Sequence, residues 1–188
     1  MMDTKTLIIS KSTILFQKKG YKGVGLSEIL RECKITKGAL YHHFPGGKEE
    51  QLTACLHSLN EGIIMDIEDI FREYPNTKEA VNAMIGKLVS QFELEGTITG
   101  YTFSSIVSDM DALSEPVQNA CAKLYQDIQN VYSRKLRESG LPIEKAQSFA
   151  LIMTATIEGG MLLCLTQKSA EPLKVIMETL PHMISDNR

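Results

Sequence analysis

Thr36, Lys37, Tyr41, His42 and Lys48 cluster in one short run, Ile35 to Lys48. Their groups are a hydroxyl, two ammoniums, a phenol and an imidazole, and each can donate a hydrogen bond. Gly38 and Ala39 sit among them and let a backbone come close to a surface. Ser27, slightly upstream, adds another hydroxyl. Donors of this kind beside small residues suit a polyanion whose base edges offer acceptors. Lys37 can donate to guanine O6 and N7 or to a phosphate, and Ala39 can touch a thymine methyl. Tyr41 and His42, one turn further on, can hold phosphates or bases. Ser27 and Thr36, near helix N-termini, suit phosphates. Lys48 adds its charge to the positive end of the helix it begins. Taken singly, Tyr41 also fits as a packing residue, and His42 and His43 as plain surface. Adjacent helix positions do not share a face, so the two histidines make a poor metal pair.

Such side chains read DNA only when a short helix carries them into the major groove. The flanking sequence supplies one. Ile8, Ser12, Leu15 and Phe16 mark one face of a first helix, which stops at Gly20 after Lys18 and Lys19. A second helix opens at Leu26 or Ser27, with Ile29 and Leu30 inward. Cys33, Lys34 and Ile35 make a turn, and Thr36 caps a third helix. Leu40 and Phe44, four apart, pin that helix to the first two. The pattern is a helix-turn-helix with its donors on the second helix of the pair.

Charge follows the same division. Residues 1–48 hold nine basic and three acidic side chains, +6, in a chain of net charge −3, so residues 49–188 carry −9. A basic module on an acidic body places the polyanion contact at the N-terminal end, although a solvated helical face can also be lysine-rich. Cys33, Cys55, Cys121 and Cys164 are scattered, without a CxxC pair, so zinc and a disulfide framework are not expected. No cofactor or metal is expected. Lys5 and Lys11 break any apolar leader, and the apolar stretch Ala150–Leu165 is too short to span a bilayer and contains Glu158. A cytoplasmic protein with no membrane contact is expected.

The rest of the chain is helical in pattern. Pro45-Gly46-Gly47 ends the third helix, and a long fourth runs from near Lys48 to about Tyr74. Thr77 can cap a fifth, about Lys78–Glu95. A short helix over Phe103–Leu113 follows, then one from Ser114-Glu115-Pro116 to Glu138. The last two cover about Ile143–Gln167 and Glu171–Ile184. The fold class is all-α: a three-helix DNA-binding domain over 1–48, then a helical domain over 49–188. No P-loop, serine elbow, HExxH or carboxylate cluster occurs, and an enzyme is not expected. A helical protein-interaction module without sequence-specific DNA binding is the remaining alternative.

Residues 5–60 resemble the DNA-binding domain of the TetR family of bacterial transcriptional repressors. The resemblance rests on Ile8, Leu15-Phe16, Gly20-Tyr21, Ser27-Glu28-Ile29, the run Thr36 to Phe44, and Lys48. It implies that the third helix enters the major groove, with Ser27, Thr36, Lys37, Gly38, Ala39, Tyr41, His42 and Lys48 at the DNA. Members usually have one residue between the proline and the lysine. Here Gly46 and Gly47 stand there, which resembles the subgroup of the Bacillus LmrA and YxaF regulators. The likeness extends through Gly140-Leu141-Pro142 and Ile157-Glu158-Gly159-Gly160. Lys11 and Ile14 depart from the family's usual small and polar residues.

The resemblance also implies that 49–188 binds an effector and dimerises. A homodimer through about 143–184 would present two reading heads to a palindromic operator. An apolar effector would lie among Met84, Leu88, Phe92, Phe103, Val107, Met110, Tyr125, Ile128, Tyr132 and Glu158. The flat aromatic faces suit an aromatic or flavonoid-like inducer. Apolar residues at helical spacing are equally what a core requires. Glu158, an acid in an apolar helix, can bind a polar ligand group, join a buried hydrogen-bond network, or face solvent.

Overall fold

The computed structural model describes residues 3–185. Nine α-helices follow one another among these residues, with no strand, as the all-α expectation requires. They are α1 Thr4–Lys19, α2 Leu26–Cys33, α3 Lys37–His43, α4 Gly47–Glu73, α5 Thr77–Glu95, α6 Ser104–Val107, α7 Glu115–Glu138, α8 Ile143–Gln167 and α9 Glu171–Ser185.

The chain forms two compact units. One comprises residues 1–62 and 99–124, and the other 63–98 and 125–188. Helices α4 and α7 each contribute to both.

In the first unit, Ile8, Phe16, Ile29, Leu40, Phe44, Leu52 and Leu56 form the core. They sit on α1 to α4 at the spacing the sequence shows, with Leu15 only half-buried. Asp3 caps α1, accepting from the Thr6 amide at 3.0 Å. Inside, the Gln51 amide donates to Ser12 Oγ at 2.7 Å, which accounts for a serine on the apolar face of α1.

In the second unit, α9 packs along α5 and α8. Gly160 permits the close approach, since a Cβ there would lie 2.5 Å from Ile176 Cδ1. The apolar stretch 150–165 falls in α8 and is buried on one side only. Ala150, Met153, Ile157 and Met161 face inward, while Leu151, Ile152, Leu162 and Leu163 are exposed. By length and composition alone α8 could cross a membrane, a test that core helices of soluble proteins also pass.

Two sequence expectations are corrected. Asn76, not Thr77, caps α5, accepting from Lys78 N at 2.9 Å and Glu79 N at 3.4 Å. Thr77 is the buried first residue of that helix. The single helix expected over Phe103–Leu113 is broken into α6 and a 3-10 turn at Met110–Ala112. Asp109, at the break, turns its carboxylate away to the Lys22 amide.

Candidate nucleic-acid interface

Helix α3 is built from both ends. At one end α2 stops where Lys34 takes a left-handed conformation, φ 54°. Its amide bonds back to the carbonyls of Leu30 and Arg31, a tight reversal that leaves two residues before α3. Thr36 is extended, and its hydroxyl accepts from Ala39 N at 3.2 Å, the expected cap. At the other end Phe44 closes the helix, its amide donating to Leu40 O at 2.8 Å.

Leu40 and Phe44 are buried and hold α3 to the core. Thr36, Lys37, Gly38, Tyr41 and His42 are exposed, and Ala39 and His43 are half-buried. A side chain at Gly38 would meet nothing nearer than Thr36 Oγ1 at 3.9 Å, so packing does not demand glycine there. Small size at that spot matters only to whatever the helix is pressed against. Lys37 Nζ lies 5.8 Å from the Tyr41 ring centroid, which keeps both at the same patch. Ser27 is exposed in the first turn of α2.

The positive charge is less uniform than the sequence count implies. Lys19 pairs with Glu28 at 2.6 Å, Lys22 with Asp109 at 3.9 Å, and Arg31 with Glu28 and Glu32. Lys18, Lys34 and Lys37 have no ion-pair partner among the described residues. Two of these flank the start of α3.

Lys48 is held differently from the rest. Its ammonium donates to the Tyr21 carbonyl and lies 3.9 Å from the Tyr21 ring centroid. Burial pushes its pKa down, partly opposed by the Asp109 carboxylate. Tyr21, Gln17 and Asp109, which make this region, received no role from sequence reasoning. Gly20-Tyr21 stood out in the pattern, but no local signal links it to Lys48 or Asp109.

A model of the family described as bacterial regulatory proteins, tetR family, matches residues 8–55. Another, the LmrA/YxaF-like transcriptional regulator C-terminal domain, matches residues 77–179, more than half of the chain. The chain belongs to the TetR family of transcriptional regulators. Among TetR-family relatives, the HTH-type transcriptional regulator LmrA of Bacillus subtilis is 35% identical over 182 residues, 97% of each chain. YxaF of the same organism, an HTH-type transcriptional regulator, is 33% identical over 97% of this chain and 95% of its own. The structure of reduced Escherichia coli NemR superposes with a TM-score of 0.81 at 25% identity, covering 98% of this chain and 97% of that one. A TetR regulator from Legionella pneumophila shares the fold, TM-score 0.82 at 24% identity, over 99% and 97% of the two chains. As TetR-family regulators bind DNA, the outward face of α3 is the interface candidate in this chain.

The ten effector candidates divide between the two units. Phe103, Val107 and Met110 lie in the first, Phe103 fully buried and the other two half-buried. Met84, Leu88, Phe92, Tyr125, Ile128, Tyr132 and Glu158 lie in the second. There Tyr132 is buried, and its hydroxyl donates to Met84 Sδ at 3.2 Å. Burial, then the charges of Glu158 and Asp66, push the Tyr132 phenol pKa up. Glu158 is half-buried, hydrogen-bonded to Tyr125, and burial raises its pKa to about 7. Tyr125 is thus a hydrogen-bond partner of Glu158. The Glu158 and Asp66 carboxylates both lie within electrostatic reach of the Tyr132 phenol.

Proposed function

We propose that the protein is a ligand-responsive transcriptional repressor that binds a palindromic operator as a homodimer. The observation that carries the DNA half is the division of α3: Leu40 and Phe44 inward, and Thr36, Lys37, Gly38, Tyr41 and His42 outward. These five, with Ala39, Ser27 and Lys48, are the proposed DNA-contacting set. Residues 1–48 are the proposed reading domain and 49–188 the effector and dimerisation domain. The protein acts in the cytoplasm and without catalysis.

Dimerisation through 143–184 is supported by the apolar side chains that α8 and α9 leave exposed: Leu151, Ile152, Leu162, Leu163, Val175 and Met183. In one chain these face water, and a second copy would cover them. For the effector, support comes from Glu158, half-buried and bonded to Tyr125, and from Tyr132, whose hydroxyl reaches Met84 Sδ, with Leu88, Phe92 and Ile128 buried in the same unit. These suit a largely apolar, aromatic or flavonoid-like molecule with a polar group for the acid. Release from DNA requires that such a molecule bind one conformation better than the other.

The test is a mobility-shift titration with DNA from just upstream of the protein's own gene. Binding is expected to weaken steeply with salt, and Tyr41→Ala to reduce it while the dimer persists. Salt-independent binding, or none, would overturn the repressor reading. A monomeric or unfolded Tyr41→Ala variant would identify Tyr41 as packing.

A further inference from the structure

The start of α1 lies beside the end of α3. Lys5 Nζ is 5.8 Å from the Phe44 ring centroid, and Phe44 closes α3. His43, the last residue of α3, lies within electrostatic reach of the Asp3 carboxylate. That carboxylate is committed to its own helix. It caps α1, accepting from the Thr6 amide at 3.0 Å and from the Thr6 hydroxyl at 2.6 Å. Lys5 is exposed and has no ion-pair partner among the described residues. Nothing within α1 calls for a lysine at this position. The first turn of a helix is its positive end, where an ammonium is unfavourable and a carboxylate is favoured. No acid stands in the first turn of α1. A locally disfavoured charge kept at the surface points to a partner outside the chain.

We propose that the DNA-contacting surface continues from α3 onto the start of α1, where the Lys5 ammonium meets a backbone phosphate. The proposal rests on the reading of α3 as the DNA-contacting helix. With the first residues of α3 nearest the bases, its last turn emerges from the groove beside the backbone. The carbonyls of a last turn carry partial negative charge, which repels a phosphate. Lys5, across the Phe44 ring from that turn, supplies the cation that a phosphate there requires. A centroid distance near the outer limit of a cation–π contact leaves the hydrogens of the ammonium available. Lys34 and Lys37 stand at the other end of α3, so the helix has an ammonium near each end. The Lys5 contact adds affinity and fixes register without reading sequence. Lys5 lies ahead of residues 8–55, the span that the family model matches.

The salt dependence of binding reads this contact. Each phosphate neutralised contributes about 0.9 to the slope of log K against log salt. A duplex selected from random DNA by the wild-type full-length protein serves as probe, read by fluorescence anisotropy. Lys5→Met keeps the stem over Phe44 and removes the charge. It is expected to lower the slope by about one, so that the wild type's advantage shrinks about threefold between about 50 and about 200 mM salt. Single-base variants of the duplex are expected to keep their order of affinity, because a phosphate contact weakens all sequences alike. Lys5→Arg is expected to retain the wild-type slope. Lys18→Met controls for net charge. Lys18 is exposed and without an ion-pair partner among the described residues. It stands about 20 Å along α1 from Lys5, so its loss is expected to leave the slope unaltered.

An unchanged slope in Lys5→Met would overturn the proposal. An equal fall in Lys18→Met would overturn it too, by reducing the effect to net charge. An altered order among the single-base variants would make Lys5 a base reader or a packing residue and not a phosphate contact. Should Lys5→Met lose its cooperative melt, Lys5→Gln takes its place in the same comparison. If the wild type selects no duplex, it is the DNA reading of α3 that has failed.

Discussion

Replacing Gly20 with alanine would place a methyl carbon 2.6 Å from the Ser105 carbonyl oxygen and 2.7 Å from an Asp109 carboxylate oxygen. The backbone there has φ 69° and ψ −178°, a region that only glycine occupies comfortably. The conformational cost is about 1–3 kcal/mol. Relieving the overlap, mostly against a backbone atom that cannot swing aside, adds about 1–3 kcal/mol. The expected loss is thus roughly 2–6 kcal/mol, a large part of an ordinary domain's stability. Gly100 provides the control. It also has positive φ, 84°, but a Cβ there meets nothing within 4 Å, so Gly100→Ala should lose roughly 1 kcal/mol. Urea unfolding of both variants, read by circular dichroism, gives the comparison. Equal losses at the two sites would show that the close approach of Ser105 and Asp109 to the turn is absent in solution.

Three further outcomes follow from the same contacts. Glu158 keeps its proton to higher pH when folded, from 4.5 to about 7, so the folded state gains from the bound proton below pH 4.5 and loses that gain as pH rises to about 7. The loss is roughly 3 kcal/mol, and Glu158→Gln should remove it. A wild-type to Glu158→Gln stability difference that is the same at pH 5 and pH 8 would contradict the burial assigned to this acid. Thr36→Ala should cost about 1 kcal/mol by uncapping the seven-residue α3, while Thr36→Ser should melt like the wild type; a Thr36→Ala melting curve identical to wild type would refute the cap. Leu151→Lys, on the exposed face of α8, should convert the proposed dimer to monomer in sedimentation at micromolar concentration. A wild type that is already monomeric would remove the assigned role of that face.

Helix α3 and its cap were legible because their information is local. Thr36 can cap only the helix that follows it, and Leu40 and Phe44 can point inward together only if that helix is there. The class of fold was legible for the same reason. What escaped the sequence depends on partners far along the chain. Lys48 is visibly a cation, but its partner Tyr21 lies 27 residues away. The break after α6 involves Asp109, whose bond to Lys22 N spans 87 residues. Asn76 and Thr77 both have capping side chains, and only the extended backbone at Asn76, φ −77° and ψ 121°, decides between them. For Met84, Leu88 and Phe92, helical spacing reports an inward face without separating core from ligand contact. In α8 the apolar residues run round the helix, and composition could not tell that Leu151 and Leu162 face outward while Met153 and Met161 face inward.

Selection of duplexes from a random DNA library by the wild-type protein tests the central claim most directly. Two copies of α3 related by two-fold symmetry predict an enriched inverted repeat, with half-site centres about one helical turn, or a multiple of it, apart. Enrichment of no sequence, or of a single unrepeated site, would contradict the account.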